Sequence, residues 1–295
     1  MAVPYKAPVK DIVFGYEVID SYNVLNKISA FSDFSEDIVI PTMEECAKFS
    51  EEVLAPINAI GDQQGATIKD GVVTMPEEFV DAYQKFAEAG WASISLPSDI
   101  GGGGMPITLS GGTLEILSTA NLAFGLAPGL SAGAISAINF HGSQEQKDKF
   151  LPKLVSGEWT GTMNLSEPQS GSDLGTITTK AEPQEDGSYK ITGTKVWITF
   201  GEHNMTENII HLVLAKVPGS PEGTKGISMF IVPKYTVNDD GSVGDSNNVS
   251  CISIEEKLGI HASPTCVMEY DGSVGYLVGE ENRGLNYMFT MMNEA

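Results

Sequence analysis

Basic side chains are scarce in this sequence of 295 residues. Lysine and arginine together number 17 against 39 aspartates and glutamates, which gives a formal net charge of −22 at pH 7. A surface this acidic repels the phosphates of nucleic acids and the headgroups of anionic membranes. The composition therefore argues against a nucleic-acid-binding protein.

Cysteine is also scarce, with three in the chain and no CxxC spacing. An odd number without that spacing argues for a reducing compartment, with no disulfide framework and no thiolate metal site. The four histidines show no metal-ligand spacing either, and no partners for a nucleophilic triad stand out. We therefore expect neither a metal site nor a Ser/His/Asp enzyme.

Long apolar runs are absent as well. No stretch reaches the roughly 20 apolar residues that cross a bilayer, and the first residues lack the apolar region of a signal peptide. The sequence therefore predicts a cytoplasmic protein without a membrane span. At the other end, Ala295 falls inside an amphipathic segment with no helix stop signal after it, so we expect a chain that is cut before its natural end.

The residues that are present predict a folded protein, since 41% of them are apolar. Residues 1–35 carry aromatic and apolar side chains without a long regular period, which favours an arm laid over a domain or a partner. Residues 36–158 follow helical patterns. Thr42 and Glu45 have the spacing of a capping box, which predicts a helix that ends near Pro56. Further helices are predicted over 76–90, 107–122, 127–140 and 143–154.

The composition then changes to short alternating runs rich in threonine, valine and isoleucine over residues 159–278, which predicts strands. Asp186 and Gly187 predict a hairpin turn, because the primed turns that match strand twist need positive φ. Residues 279–295 return to a helical spacing. The fold class predicted is α+β: an N-terminal arm, a helical domain, a middle β domain and the first helix of a further domain.

A run of four glycines, Gly101 to Gly104, has the composition of a phosphate-binding loop. No Gly-Lys-Ser/Thr follows it and no clear strand precedes it, which argues against that function. A flexible loop is the favoured interpretation.

The segment from Met163 to Leu174 carries the strongest chemical signal. A predicted strand ends there in a turn with proline, glycine and the hydroxyls of Ser166, Ser170 and Ser172. Exposed backbone N–H groups beside hydroxyl donors suit a heteroaromatic edge and a phosphate. Serine and glycine are also ordinary turn residues, so an ordinary turn stays an equal alternative.

A second strand signal lies about 25 residues later, at Lys195 to Thr199. Alternation along a strand places Trp197 and Thr199 on one face, so an aromatic plate and a hydroxyl point the same way. A flat ligand could stack on the first and accept a hydrogen bond from the second. The alternative is that Trp197 is a core residue, which residue type alone favours.

These two segments, 165–174 and 193–199, closely resemble the paired flavin-binding signatures of the acyl-CoA dehydrogenase family. The resemblance spans about residues 40–295, in order and with matching spacing, and is closest to the longer bacterial branch of that family. Supporting matches occur at 96–97, 141–147, 151–152, 157–159, 256–259 and 279–284.

The resemblance implies a helical N-terminal domain, a middle β-barrel and a helical C-terminal domain represented only by its opening helix. It also implies the cofactor FAD and a role in fatty acid metabolism, with α,β-dehydrogenation of an acyl-CoA to the enoyl-CoA. A glutamate removes the α proton, the β hydride passes to the flavin, and an electron-transferring flavoprotein accepts the electrons. The expected assembly is a homodimer or homotetramer. The alternatives are a non-catalytic flavin or acyl-CoA binding subunit, or an acyl-CoA oxidase.

The resemblance also assigns residues. Trp197 would cover the flavin ring system, Thr199 would hydrogen-bond near its N5 atom, and Ser172 would lie near the pyrophosphate or the CoA arm of the substrate. The full set of expected cofactor contacts is Met163, Asn164, Leu165, Ser166, Gly171, Ser172, Trp197, Ile198 and Thr199.

Two departures from the family pattern matter. Gln169 stands where many relatives have a small residue. The catalytic base of most relatives would lie beyond Ala295. Glu294 is the one carboxylate on the last helix that could serve, but it lies one position, about 100° around the helix, from the expected place.

Residues 123–130 have few bulky side chains apart from Phe124, Leu126 and Leu130, and are expected to leave room for an acyl chain.

Overall fold

A computed structural model describes residues 4–294 of the chain. The first three residues of the predicted arm and the last residue of the predicted final helix lie outside the described residues. Helices occupy the first half of the chain and strands most of the second half. The predicted α+β class is confirmed.

The N-terminal arm is helical and lies on the helical domain. Its apolar side chains Val13 and Tyr16 are buried. The hydroxyl of Tyr5 donates to the carbonyl oxygen of Ile116 at 3.0 Å, and that of Tyr16 donates to the carbonyl of Thr108 at 2.6 Å. The arm contains α1 (Val9–Val18) and α2 (Ser21–Leu25).

The next helix begins earlier than the capping-box pattern predicts. Helix α3 spans Glu36–Phe49, and Thr42 lies inside it with its hydroxyl donating to the carbonyl of Ile38 at 2.7 Å. A π-helical turn then connects α3 to α4 (Ala55–Gln64). Pro56 does not end the helix. It lies in the first turn of α4, directly after the π-helical turn.

A small hairpin follows that the sequence analysis did not predict. Strands β1 (Thr67–Lys69) and β2 (Val72–Thr74) pair antiparallel. The connecting residues Asp70 and Gly71 both have positive φ, at 51° and 81°. Asp-Gly is a preferred sequence for such a primed turn, so the local signal was present.

Three of the remaining helices of this half agree closely with the predicted ones, whereas the helix predicted over 127–140 begins earlier, at Leu122. The capping box of Ser143 and Gln146 is present, and Gly90 has the positive φ of a helix-terminating glycine. The helices are α5 (Glu77–Glu88), α6 (Ile107–Ala120), α7 (Leu122–His141) and α8 (Gln144–Ser156).

Helix α7 corrects the expectation that no segment is long and apolar enough to cross a membrane. It meets both criteria by length and composition, but more than half of its apolar window is buried inside the protein. Its neighbours in the fold include α6, α8 and the first strand of the β domain. A core helix of a folded domain has these same properties.

The glycine run from 101 to 104 is a tight turn. The N–H groups of Gly102 and Gly104 donate to the carbonyls of Pro97 and Leu96, each at 2.9 Å. A Cβ on Gly102 would stand 2.2 Å from the Leu96 oxygen, closer than any real Cβ contact. The glycines therefore permit close backbone packing, and these N–H groups are not available to a phosphate.

The β domain is built on a sheet of seven strands that closes on itself. Five strands form a ring in the order β11, β5, β4, β6 and β7, because β7 pairs with both β6 and β11. Strands β10 and β3 extend it, and β8 and β9 form a separate hairpin. The strands are β3 (Trp159–Asn164), β4 (Lys180–Pro183), β5 (Tyr189–Thr199), β6 (Asn208–Lys216), β7 (Ile227–Pro233), β8 (Tyr235–Val237), β9 (Val243–Ser246), β10 (Val249–Glu255) and β11 (Thr265–Leu277).

The predicted hairpin around Asp186 and Gly187 is confirmed, since β4 and β5 pair antiparallel. The turn itself differs from the predicted one. Gly187 has a φ of 82°, whereas Asp186 is not among the residues with positive φ. The N–H of Gly187 donates to the carbonyl of Gln184, and the N–H of Gln184 donates to the carbonyl of Ser188. The loop is therefore longer than a two-residue primed turn.

The last helix, α9 (Gly284–Met292), forms as predicted and packs on α7. The contact is close, because a Cβ on Gly133 of α7 would lie 2.9 Å from the Cγ of Met291. Phe124 of α7 faces the other way. It is 1% exposed and packs against Phe86, so it belongs to the helical core and not to an acyl pocket.

Candidate functional site

Two segments that are separate in the sequence meet at the end of β3. We call residues 165–173 the serine loop. The N–H of Val196 donates to the carbonyl of Ser166 at 2.9 Å. A Cβ on Gly171 would lie 3.4 Å from the ring of Trp197. The loop after β3 and the end of β5 thus form one surface, as their shared signature predicts.

A tight turn gives the serine loop its shape. Glu167 and Ser170 exchange two backbone hydrogen bonds, at 2.8 and 2.9 Å, so that Pro168 and Gln169 occupy the turn. The hydroxyl of Ser170 is buried and donates to the carbonyl of Asp173 at 2.6 Å. Of the three serine hydroxyls singled out in the sequence, this one holds the loop together and is not available to a ligand.

Other donors of the loop are free. Within residues 4–294, the N–H groups of Ser166, Gly171 and Ser172 make no hydrogen bond, nor do the hydroxyls of Ser166 and Ser172. Gly171 and Ser172 are exposed and Ser166 is half-buried. A cluster of open N–H and O–H donors can bind the acceptor atoms of a heterocycle or a phosphate.

Trp197 is presented at the surface by an irregularity of β5. The register between β5 and β11 shifts so that Val196 and Trp197 both face Val267. Trp197 has a φ of 61°, uncommon for a bulky residue, and its side chain is 53% exposed. Such bulges turn a side chain out of the regular alternation. The alternative that Trp197 is a core residue is therefore wrong.

The remaining predicted contact residues have different exposure. The amide of Asn164 is buried, where its Nδ2 donates to the Thr162 hydroxyl at 2.8 Å and its Oδ1 accepts from Tyr270 at 2.9 Å. Ile198 is 2% exposed. Thr199 is half-buried. A ligand at this surface would therefore meet the side chain of Thr199, but only the backbone near Asn164 and Ile198.

Glu167 and Lys195 hold the serine loop from behind, and residue-by-residue analysis of the sequence missed them. The two side chains are at most 1% exposed, and Nζ of Lys195 lies 2.9 Å from Oε1 of Glu167. The carboxylate also accepts from the N–H and hydroxyl groups of both Thr178 and Thr179. The signal available was a lysine inside an apolar strand segment, since an ammonium in that position requires a partner.

These contacts decide the charge of the pair. Burial by itself would raise the pKa of Glu167, but the Lys195 ammonium and the threonine donors outweigh it and lower that pKa to about 2. Burial lowers the pKa of Lys195 to about 8, against the opposing effect of Glu167. Both groups are therefore charged at neutral pH.

Gln169 does not disturb the turn in which it lies. Its side-chain Nε2 donates to Oε2 of Glu167 at 2.7 Å and to the carbonyl of Thr176 at 3.3 Å. Where many relatives have a small residue, this chain thus has a side chain that donates a further hydrogen bond to the buried carboxylate.

A buried polar network lies beneath β3. The hydroxyl of Thr160 is 2.9 Å from Nε2 of His203, and that of Thr162 is 2.7 Å from Nδ1 of His211. Burial lowers the pKa of both histidines to about 3, and the nearby Lys234 acts in the same direction. Both imidazoles are therefore neutral and can accept or donate single hydrogen bonds.

Glu294 lies at the end of α9, close to α7. Burial raises the pKa of its carboxyl, and the hydroxyl of Ser136 on α7 opposes that shift. Within the described part of the chain, no hydrogen bond joins Glu294 to the serine loop or to Trp197. Its role as a base stays a prediction.

Comparison with known proteins identifies both halves. The model of the acyl-CoA dehydrogenase N-terminal domain matches residues 41–158, and that of the acyl-CoA dehydrogenase middle domain matches residues 162–273. The chain is 47% identical over 291 residues to 3-methylmercaptopropionyl-CoA dehydrogenase of Ruegeria pomeroyi, covering 99% of this chain and 50% of that protein.

Two further comparisons agree. A butyryl-CoA dehydrogenase of Syntrophomonas wolfei is 38% identical over 303 residues, with 98% of this chain and 50% of that protein covered. The solved structure of an acyl-CoA dehydrogenase complexed with FAD from Bacillus anthracis superposes with a TM-score of 0.71 at 26% identity, covering 89% of this chain and 41% of that one. The chain thus spans about half the length of the curated relatives that it matches.

Proposed function

Because this chain belongs to the acyl-CoA dehydrogenase family, we propose that it is the FAD-binding part of an enzyme that dehydrogenates an acyl-CoA to the enoyl-CoA. One observation carries the proposal. The open donors of the serine loop lie beside an exposed tryptophan, and these are the groups that a flat heterocycle with a phosphate arm requires. The relative from Bacillus anthracis was solved with FAD.

Each free group has a part in the proposed site. The N–H and hydroxyl of Ser166 would hold the polar edge of the ring system, together with backbone groups of Met163, Asn164 and Leu165. Trp197 would cover one face of the ring, and Thr199, with the backbone of Ile198, would bind the edge near N5. Gly171 and Ser172, which are exposed at the loop tip, would bind the pyrophosphate or the CoA arm.

The chemistry that bound FAD supplies is acceptance of the hydride from the β carbon. The chain contributes fixed donors, which stabilise negative charge better than mobile water does. Removal of the α proton requires a carboxylate base. Glu294 is a candidate, since burial raises the pKa of its carboxyl and makes it a better proton acceptor.

Two of the relatives have names that specify a short acyl group. Their names specify 3-methylmercaptopropionyl-CoA and butyryl-CoA. We therefore propose a short-chain acyl-CoA as the substrate class, with an electron-transferring flavoprotein as acceptor and a homodimer or homotetramer as the assembly. A cytoplasmic location stays a prediction.

Replacement of Trp197 tests the cofactor site. Trp197→Ala removes the ring cover, so we expect weaker FAD retention and a shifted flavin absorption spectrum, measured by equilibrium dialysis and visible spectroscopy. Trp91→Ala, a change in the helical half, is the matched control and should alter neither. If Trp197→Ala leaves both binding and spectrum unchanged, Trp197 does not cover the flavin.

Mixing the full-length, flavin-loaded protein with butyryl-CoA and 3-methylmercaptopropionyl-CoA without oxygen tests the reaction. We expect the visible absorbance of the oxidised flavin to bleach as the flavin is reduced. Rapid recovery on admission of air would instead indicate an oxidase. Absence of bleaching with every acyl-CoA tried would contradict the enzyme assignment and support a non-catalytic binding subunit.

A further inference from the structure

The buried pair of Glu167 and Lys195 is placed directly behind the serine loop. Burying two charges is costly, and such pairs often contribute little to stability compared with apolar residues of the same size. This pair is surrounded by hydrogen bonds that fix both partners. Lys195 has a second hydrogen-bond partner besides this carboxylate, and that partner belongs to the serine loop.

Lys195 also binds the backbone of the loop. Its Nζ donates to the carbonyl oxygen of Leu165 at 2.9 Å. In a planar trans peptide the C=O and the next N–H point in opposite directions. The N–H of Ser166 therefore points away from Lys195, and it makes no hydrogen bond within residues 4–294. The lysine thus fixes the direction of a free donor.

The same contact affects how strongly that donor binds. A cation that donates to a peptide carbonyl polarises the whole peptide group, which strengthens the hydrogen bond made by its N–H. The carboxylate of Glu167, 2.9 Å from the ammonium, offsets the positive charge. The potential at the Ser166 donor therefore depends on the balance between the two side chains.

We propose that the Glu167–Lys195 pair positions the Leu165–Ser166 peptide and sets the reduction potential of the flavin bound to it. The inference rests on the proposed function, since it needs FAD at the serine loop. The two residues act through the peptide and do not touch the cofactor, so they are positioning residues. Reduced flavin carries more electron density than oxidised flavin, and the donor potential thus acts on the two states unequally.

Two single substitutions give opposite predictions. Lys195→Met removes the ammonium and leaves the carboxylate of Glu167 with only its hydrogen bonds from uncharged donors, so it should shift the flavin midpoint potential to more negative values. Glu167→Gln leaves the ammonium unbalanced and should shift it to more positive values. The measurement is a spectroscopic redox titration of the full-length, flavin-loaded protein.

The pH dependence provides a second signature. Loss of Glu167 lowers the pKa of Lys195 further below about 8, because the carboxylate opposes the effect of burial. The positive shift in Glu167→Gln should therefore be larger at acidic pH and fade as the pH rises towards 8, because the lysine loses its proton. A purely structural role predicts weaker FAD binding in both variants, and shifts of the same sign or none.

A milder variant covers the case in which these substitutions prevent folding. Thr178→Val removes one hydroxyl donor to Glu167, at 2.9 Å, from an exposed residue. We expect a small negative shift of the potential. Thr176→Val is the control, since its hydroxyl donates to Asp173 and not to Glu167.

The outcomes separate the two proposals. If the unaltered protein does not bind FAD, the proposed function fails and this inference fails with it. If FAD binds and the variants shift the potential with opposite signs, the pair sets the potential. If FAD binds and the potential is unchanged in the variants, or moves in one direction in Lys195→Met and Glu167→Gln, the inference is wrong and the proposed function stands.

Discussion

The helical half of the molecule, residues 4–158, and the β half, residues 159–278, bury different kinds of side chain. The core of the helical half is aromatic and aliphatic, and the ring of Phe124 packs there against those of Phe79, Tyr83 and Phe86. The β half buries an ion pair and two neutral histidines as well as its apolar side chains.

This difference follows from what each half must specify. Apolar packing is non-directional and proportional to the area buried, so it stabilises a helix bundle without fixing single peptide groups. Hydrogen bonds and ion pairs have direction, and those of Glu167 and Lys195 orient one particular loop. In the β half, directional contacts of this kind hold the serine loop, which is the proposed cofactor site.

The largest expected effect is acid sensitivity of the β half. The pKa values of His203 and His211 are lowered to about 3, against an ordinary value of 6.5, because both rings are buried. The unfolded chain therefore binds these protons first as the pH falls. Their contribution to stability is complete above pH 6.5 and is lost progressively towards pH 3, on the order of 4 kcal/mol for each histidine at the acid end.

Urea unfolding at pH 7, 5.5 and 4.5, followed by circular dichroism and hydrogen exchange, measures this loss. The pKa of Glu167, lowered to about 2, adds a further loss only below about pH 4.5. His211→Gln, which cannot bind the proton, should be less stable at pH 7 and less dependent on pH. An unchanged urea midpoint from pH 7 to 4.5 in the unaltered protein would show that the buried histidines do not control acid stability.

The next largest effect is expected from a substitution in the helical core that leaves the β half unchanged. Phe86 is 1% exposed and its ring centroid lies 5.6 Å from that of Phe124. Phe86→Ala should lower the free energy of unfolding by about 3 to 5 kcal/mol through lost apolar burial and a cavity. Phe140→Ala, at a 69% exposed position, is the control and should change it by less than about 0.5 kcal/mol.

Because Phe86 makes no directional hydrogen bond, its loss should not alter the pH dependence of stability. Chemical unfolding of both variants at pH 7 and 5 checks this. A flattened pH profile in Phe86→Ala would mean that the two halves are not separable in this way.

The smallest effect concerns Gln169, which is exposed yet donates to the buried carboxylate of Glu167 at 2.7 Å. Gln169→Ala should cost about 1.5 to 3 kcal/mol, the value of one hydrogen bond to a charged group. Gln184→Ala, which removes bonds to two backbone carbonyls in the β4–β5 loop, is the matched control. A larger loss in the control than in Gln169→Ala would show that the carboxylate does not need this donor.

Much of the fold could be predicted from local pattern. Ser143 and Gln146 form the capping box that their spacing indicates, and Gly90 ends its helix with positive φ. The helix start predicted from the capping-box spacing of Thr42 and Glu45 is wrong, because both residues lie inside α3. The hydroxyl of Thr42 donates to the carbonyl of Ile38, one turn earlier in the same helix. A pattern of two residues does not distinguish a helix start from a helix interior.

The candidate site shows the same division. Its two segments are recognisable by their residues, and the sequence led to Ser166, Ser172, Trp197 and Thr199 without structural information. It did not indicate that the hydroxyl of Ser170 is consumed inside the loop at 2.6 Å from the carbonyl of Asp173. Which donors are free depends on the conformation of the turn.

The sequence by itself determined the change from a helical to a β-rich region, the acidic charge and the residues of the paired signature, because these depend on side-chain type and spacing along the chain. Only the tertiary structure decided that Trp197 faces outward at a bulge, and that Glu167 meets Lys195 behind the loop. Those contacts join residues far apart in the chain. Burial and partner, which set both exposure and pKa, exist only after β3 and β5 have come together.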